Sequence, residues 1–107
     1  MTSPFAHVPV VAGLAYIERI HQLPSRFTAT LAAEPDNRFN RFAVAVLAGG
    51  NKIGYVPPEI SCHYFDPVRR AAAPVECPGR RVSATDLRST GVAVLLDFSA
   101  LAVARAE

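Results

Sequence analysis

The sequence predicts a mainly β protein of about six short strands, with one or two short helices after the fourth strand. Three observations carry this expectation. Nine prolines and six glycines cut the chain into short pieces, and both residues disfavour the interior of a long helix. The segment FTATLAA at 27–33 alternates, placing Phe27, Ala29, Leu31 and Ala33 on one side and Thr28, Thr30 and Ala32 on the other. That is the period of a half-buried strand. AGGN at 48–51 lies between two apolar runs, and paired glycines reach the positive φ angles that a tight hairpin turn demands.

Taken in order, the apolar stretch VPVVAGLAY from Val8 to Tyr16 reads as the first strand, with Gly13 at a bulge or bend that permits close backbone approach. The alternating segment ending at Ala33 is the second strand. FAVAVL at 42–47 and KIGYV at 52–56 are the third and fourth, joined by the glycine turn into a meander. Pro57 and Pro58 stop the sheet and open a helix, because the first helical turn has no intrahelical use for an N–H. Pro67 falls inside the apolar pattern of Ile60, Tyr64, Phe65 and Val68, which predicts two short helices with Asp66 capping the second. Val75–Thr85 and Gly91–Ser99 read as the last two strands, the second apolar enough to be buried on both faces. The tail after Leu101 is expected to fray.

Composition bounds the rest. A chain of 107 residues that is 50% hydrophobic and 19% charged fits one compact domain, with a core at about 8–99, and not the disordered class. No apolar run approaches the ~20 residues of a membrane span, and no basic region followed by an apolar core opens the chain, so a soluble, cytoplasmic protein without membrane association is expected. Cys62 and Cys77 can form at most one bridge and are expected to be reduced. The net charge of +2, from 11 basic and 9 acidic residues, is small for a nucleic-acid binder, yet ten of the eleven are arginine and only Lys52 is lysine. Arginine is the better residue for bidentate phosphate contact.

Few patterns suit catalysis or metal binding. Cys62, His63, Cys77, His7 and His21 lack the CxxC or HxxxH spacing that preorganises zinc ligands. Ser61, Cys62 and His63 are sequence neighbours, which a helix separates by about 100°, so they do not form a nucleophile and its base. Glu34, Asp36, Glu59 and Asp66 each have a simpler cap, turn or surface role than magnesium binding. No phosphate-binding GxxxxGK[ST] loop occurs. A non-enzymatic protein without cofactor is expected.

The most polar and least regular segment is EPDNRFNR at 34–41, between two strong strands. Asp36, Asn37 and Asn40 tolerate unusual backbone angles and offer hydrogen-bonding side chains; Arg38 and Arg41 offer charge, and Phe39 a flat apolar face. Two readings of this mix are open. Aromatic rings that stack bases beside guanidinium groups that hold phosphates suit a single-stranded nucleic acid. The same composition also suits an Asx-turn network with Phe39 plugging the end of the barrel. Tyr55 and Tyr64 are further aromatics. Tyr64 lies at helical spacing from Val68 and reads as core, which leaves Tyr55 as the better stacking residue. Arg69, Arg70, Arg80 and Arg81 are either a phosphate-tracking stripe or solvated faces.

The strand ending in Gly13 and Tyr16, EPDN at 34–37, the aromatic at 39, AVAV at 43–46 and IGYVPPEIS at 53–61 occur in an order and spacing that resemble the HIRAN family, found fused to helicase-like remodelling ATPases and nucleases and also standing alone in bacteria. The resemblance covers roughly residues 8–73 and is most specific from Glu34 to Pro58. It implies a β-barrel similar to an oligonucleotide-binding (OB) fold. It also implies capture of single-stranded DNA at its 3′ end, in replication-fork processing and repair, with a helicase-like ATPase or nuclease as a partner in trans.

By position, the resemblance implies that Tyr16 stacks on a terminal base, that Asn37 lies near the DNA end, and that Phe39 stands where the family usually has Tyr. Asn40 replaces the usual Asp, so it accepts a hydrogen bond from a 3′-hydroxyl without charge assistance. Ala15 and Pro58 stand in place of basic residues, and Phe42 in place of the usual Asn. Either the end pocket is degraded here or this branch reads a different ligand. The leading expectation is therefore a single-stranded DNA-binding module. In it Tyr16, Phe39 and Tyr55 stack bases, Asn37 and Asn40 hydrogen-bond the terminal sugar or base, and Arg38, Arg41 and Lys52 hold phosphates. The alternative is a protein-interaction or assembly domain, a homo-oligomer pairing through the apolar last strand.

Overall fold

A computed structural model describes residues 6–101; the expected fraying after Leu101 lies outside these residues. Six antiparallel strands, β1 (Val8–Pro9), β2 (Arg26–Glu34), β3 (Ala43–Ala48), β4 (Asn51–Tyr55), β5 (Val75–Arg81) and β6 (Val94–Leu96), form one curled sheet in the order β1-β6-β5-β2-β3-β4. The two edges of this sheet meet. Val11 N donates to Tyr55 O at 2.8 Å and Tyr55 N to Val11 O at 2.9 Å, so the segment that pairs with β6 also joins β4. The result is an OB-like barrel, as the mainly β expectation required.

The barrel interior follows from alternation. Ala29 and Leu31 of β2, Val44 and Val46 of β3, Ile53 of β4, and Val94 and Leu96 of β6 form one buried cluster with Val8, Ile20 and Phe98. The helix α2 (Pro58–Arg70) closes it with Tyr64, Phe65 and Val68. The Tyr64 and Phe98 rings meet at 4.9 Å. Gly49 and Gly50, at φ 58° and 84°, make the β3–β4 turn where the sequence placed it.

Several elements differ from expectation. The first apolar stretch is not one strand: it bends after Val11 into a 3-10 turn at Gly13–Tyr16 and a short helix α1 (Ile17–His21). Ala12 takes the left-handed φ of 61° at that bend, and Ile17 and Ile20 pack onto the core. The close backbone approach expected at Gly13 occurs at Gly54. A Cβ there would collide with Val10 Cγ1 and stand 2.6 Å from Val11 O, and its φ is 150°.

Nor does α2 break at Asp66. Pro67 lies inside it, and Asp66 is mid-helix. Ser61, Tyr64, Phe65 and Val68 form one buried face spanning the proline, while the position one turn before it, His63, is exposed. Core packing on both sides of Pro67 outweighs the one hydrogen bond it removes. The predicted fifth strand ends at Arg81. Ser83 then caps a third helix, α3 (Ala84–Thr90), accepting from Asp86 N at 3.1 Å, and Gly91 ends it at φ 73°. The last strand is short and paired on both sides, with β1 and β5. It therefore has no free edge for pairing with a second copy.

No helix among the described residues is long and apolar enough to cross a membrane. Cys62 is exposed, Cys77 is buried, and both are free thiols. Burial, with a smaller contribution from Asp97, pushes the Cys77 thiol up to about 12, so it stays protonated and unreactive.

Candidate nucleic-acid interface

The polar segment after β2 is a tightly bonded loop. Asn37 Oδ1 accepts from Phe39 N at 2.9 Å and Asn40 N at 3.0 Å, and Asn40 Oδ1 accepts from Phe42 N at 2.9 Å. Two consecutive Asx turns thus fix the backbone from 37 to 42. Asn40 Nδ2 donates to Ser61 Oγ at 3.3 Å, and that hydroxyl donates to Pro58 O at 3.3 Å, which ties the loop to the first turn of α2. The network reading of the loop is correct, but Phe39 is not a plug. Its ring is 97% exposed at the tip, between the exposed Arg38 and Arg41. Phe42 is the anchored aromatic: its ring meets Phe65 edge-on at 5.6 Å, with the Arg41 guanidinium 5.4 Å from its centroid.

The base of the loop is held by a second network on the outer face of the sheet. Glu34 forms an ion pair with Lys52 and accepts from Tyr55 OH at 2.8 Å and from Asn37 Nδ2 at 3.1 Å. Lys52 Nζ donates to Tyr55 OH at 2.9 Å and lies 4.9 Å from that ring's centroid. Glu34 pairs with Ala43 and Tyr55 with Ala45, on either side of β3. The two small alanines let the longer side chains meet above them, and both are covered as a result.

A β-bulge makes this possible. Lys52 and Tyr55 are three residues apart, and regular alternation would send them to opposite faces. The register shifts between Val46 and Leu47: Val46 pairs with Gly54 but Leu47 pairs with Lys52. Ile53 is the extra residue, buried in the core, and both polar side chains emerge on the outer face.

Burial alone would raise the Glu34 pKa, but hydrogen bonds from Lys52, Asn37 and Tyr55 hold it below its ordinary value. The hydrogen bonds to Glu34 and Tyr55 raise Lys52 well above its usual range. Lys52 also connects to the 3-10 turn: Arg19 Nη1 donates to Lys52 O at 2.8 Å, and the Arg19 guanidinium sits 5.4 Å from the centroid of Tyr16.

Tyr16, Asn37, Asn40, Lys52 and Tyr55 are therefore brought into one continuous set of contacts, with Arg38, Phe39 and Arg41 projecting from its loop. The expected roles change in two places. Lys52, read as a phosphate contact, has its charge matched by Glu34. Tyr55 carries the Lys52 ammonium on its ring, and Tyr16 carries Arg19; both are half-buried, so of the three expected stacking residues Phe39 is the fully exposed one. Arg19 was not singled out by sequence, Ser61 was weighed only as a neighbour of Cys62 and His63, and Glu34 only as a cap, turn or surface carboxylate, yet Glu34 is the hub. Its one signal was that 34 continues the outward parity of Thr28, Thr30 and Ala32.

The remaining candidates scatter. Arg69 and Arg70 are exposed at the end of α2 and Arg80 is exposed on β5, while Arg81 turns inward and donates to His21 O at 2.8 Å. Ser61 is buried and engaged by the loop, whereas Cys62 and His63 face solvent. Among the described residues no group of three or more His, Cys, Asp or Glu is placed to hold a metal ion. No protein-family model matches the chain, and neither the curated proteins nor the solved structures provide a match.

Proposed function

We propose that this protein is a non-enzymatic module that binds single-stranded DNA through the 37–42 loop, with strand ends in repair or fork processing as its setting. The observation that carries the reading is the exposed Phe39 ring, flanked in sequence by the exposed Arg38 and Arg41 on a backbone fixed by Asn37 and Asn40. A large aromatic in water gains nothing for folding, and a rigid loop loses little entropy on binding. Such a ring stacks a base and its flanking guanidinium groups take the adjacent phosphates. The resemblance of residues 34–58 to the HIRAN family supports the same ligand, and Asn37 and Asn40 supply polar groups beside the stacked base.

The test is an anisotropy titration at two salt concentrations with single strands ending in 3′-hydroxyl or 3′-phosphate, and with duplex. Phe39→Ala is expected to weaken binding by roughly 1–3 kcal/mol, the worth of one stacked base, without lowering the unfolding midpoint. Failure of every oligonucleotide at low salt sinks the reading. A protein-interaction surface is the second reading, favoured by the partial exposure of Phe42 on the same loop as Phe39. It predicts that Phe39→Ala leaves DNA affinity untouched and abolishes a protein complex instead.

A further inference from the structure

The opposite end of β2 carries an unmatched charge. Arg26 and Arg80 are directly paired across β2 and β5, and both are exposed. Like charges at directly opposed positions repel, with Cβ atoms only about 4.5–5.5 Å apart. Among the described residues neither guanidinium has a carboxylate partner; the ion pair there is Lys52 with Glu34. A cleft of about 240 Å³ opens beside them, lined also by His7, Phe27, Gly79 and Asp97. Asp97 accepts from Ser99 N at 2.8 Å, and the Ser99 hydrogen bonds together with the charge of nearby His7 hold its carboxyl below the ordinary value, so that carboxylate serves Ser99 and His7 and makes no ion pair with either guanidinium. The Phe27 ring packs over Gly79 on the core side of the sheet, where a Cβ would stand 2.8 Å from it, while Arg26 and Arg80 lie on the outer side.

We propose that Arg26 and Arg80 form a second phosphate-binding site that holds the backbone of the same single strand whose base stacks on Phe39. This rests on the DNA reading given above. Two guanidinium groups side by side match the oxygens of one or two backbone phosphates, and a bound phosphate relieves their mutual repulsion. Position connects the sites. Alternation along β2 puts Arg26, Thr28, Thr30, Ala32 and Glu34 on one outer face, and the binding loop begins where that row ends. At about 3.3 Å per residue the row is roughly 26 Å long, within reach of the about 4–16 nucleotides that an OB fold covers. Glu76, paired with Thr30, faces the middle of the row, so the phosphates are held at its ends.

The experiment compares wild type with the double variant Arg26→Gln, Arg80→Gln, using thymidylate strands of about 3 and about 12 nucleotides and the mononucleotide. The longer strand is expected to bind the variant roughly tenfold more weakly. Its log–log salt slope should shrink by about 1.4, from two lost phosphate contacts at about 0.7 each. The short strand should bind both proteins equally, and the unfolding midpoint of the variant should not fall. An unchanged slope with the longer strand, or an equal loss with the short one, overturns the second site while leaving the loop site standing. Mononucleotide binding that needs both arginines, with the longer strand unaffected, overturns the strand assignment in favour of a small phosphoester. If wild type binds no strand at all, both sites fall.

Discussion

The two ends of β2 treat charge in opposite ways. At the Glu34 end, the carboxylate, Lys52, Tyr55 and Asn37 satisfy one another, and the ring left over, Phe39, is the one that projects. At the Arg26 end, two cations face each other across β2 and β5, and among the described residues neither forms an ion pair with a carboxylate. The first arrangement is a scaffold, because its hydrogen bonds are spent within the protein. The second leaves charge to be matched from outside. Charged residues thus serve architecture at one end of a single strand and, among the described residues, stand without an ion-pair partner at the other.

The largest expected effect breaks the scaffold at its seam. Gly54→Ala places a methyl group against Val10 and Val11 O at a φ of 150°, and both overpacking and backbone strain cost about 1–3 kcal/mol. A loss of roughly 3 kcal/mol or more in urea unfolding is expected. A change below about 0.5 kcal/mol would show that the bulge and the barrel closure are not coupled.

Glu34→Ala removes the hub and strands Lys52 and Tyr55, for an expected loss of about 1–3 kcal/mol. Arg26→Ala at the other end should change stability by no more than about 0.5 kcal/mol. Equal losses at the two positions would erase the contrast. Phe39→Ala belongs with Arg26→Ala in stability, since its ring touches solvent, and separates from it only in binding.

Acid and base provide a finer test. The Glu34 pKa is lowered in the folded state, so its contribution is present above the ordinary value of 4.5 and is lost as pH falls through the folded value. The Lys52 pKa is raised, so its contribution is complete below 10.5 and is lost only as pH rises beyond it. Between these limits the pair is fully charged. Thermal melts of Glu34→Gln should therefore lose less stability than wild type on acidification below pH 4.5; parallel curves would show that the pair does not contribute.

Local chemistry made much of the fold legible. The alternation of Phe27 to Ala33 gave β2 its inner and outer faces, and Gly49 with Gly50 placed the hairpin. Tyr64 at helical spacing from Val68 was correctly core, and EPDNRFNR was correctly the irregular, Asx-bonded segment. The Ser83-to-Asp86 cap was also written locally, though the reading of Val75–Thr85 as one strand ran across the boundary. Other features had no local signature. Pro67 breaks an isolated helix, but Phe65 and Val68 hold both of its sides to one core. VPVVAGLAY reads as a strand until α1 packs Ile17 and Ile20 against the barrel.

By itself the sequence determined which residues were apolar and at what period, where glycine permits a turn, and which polar side chains cluster between the second and third strands. Those properties depend on neighbours a few positions away. The tertiary structure alone decided that Ile53 is the bulge residue, that Lys52 and Tyr55 share a face, and that Glu34 reaches both across Ala43 and Ala45. It likewise decided that Phe39 points into water and that Arg26 faces Arg80. Pairing register sets all of these, and register joins residues distant along the chain: a one-residue shift sends each side chain to the other face, so no reading of the segments one at a time contains it.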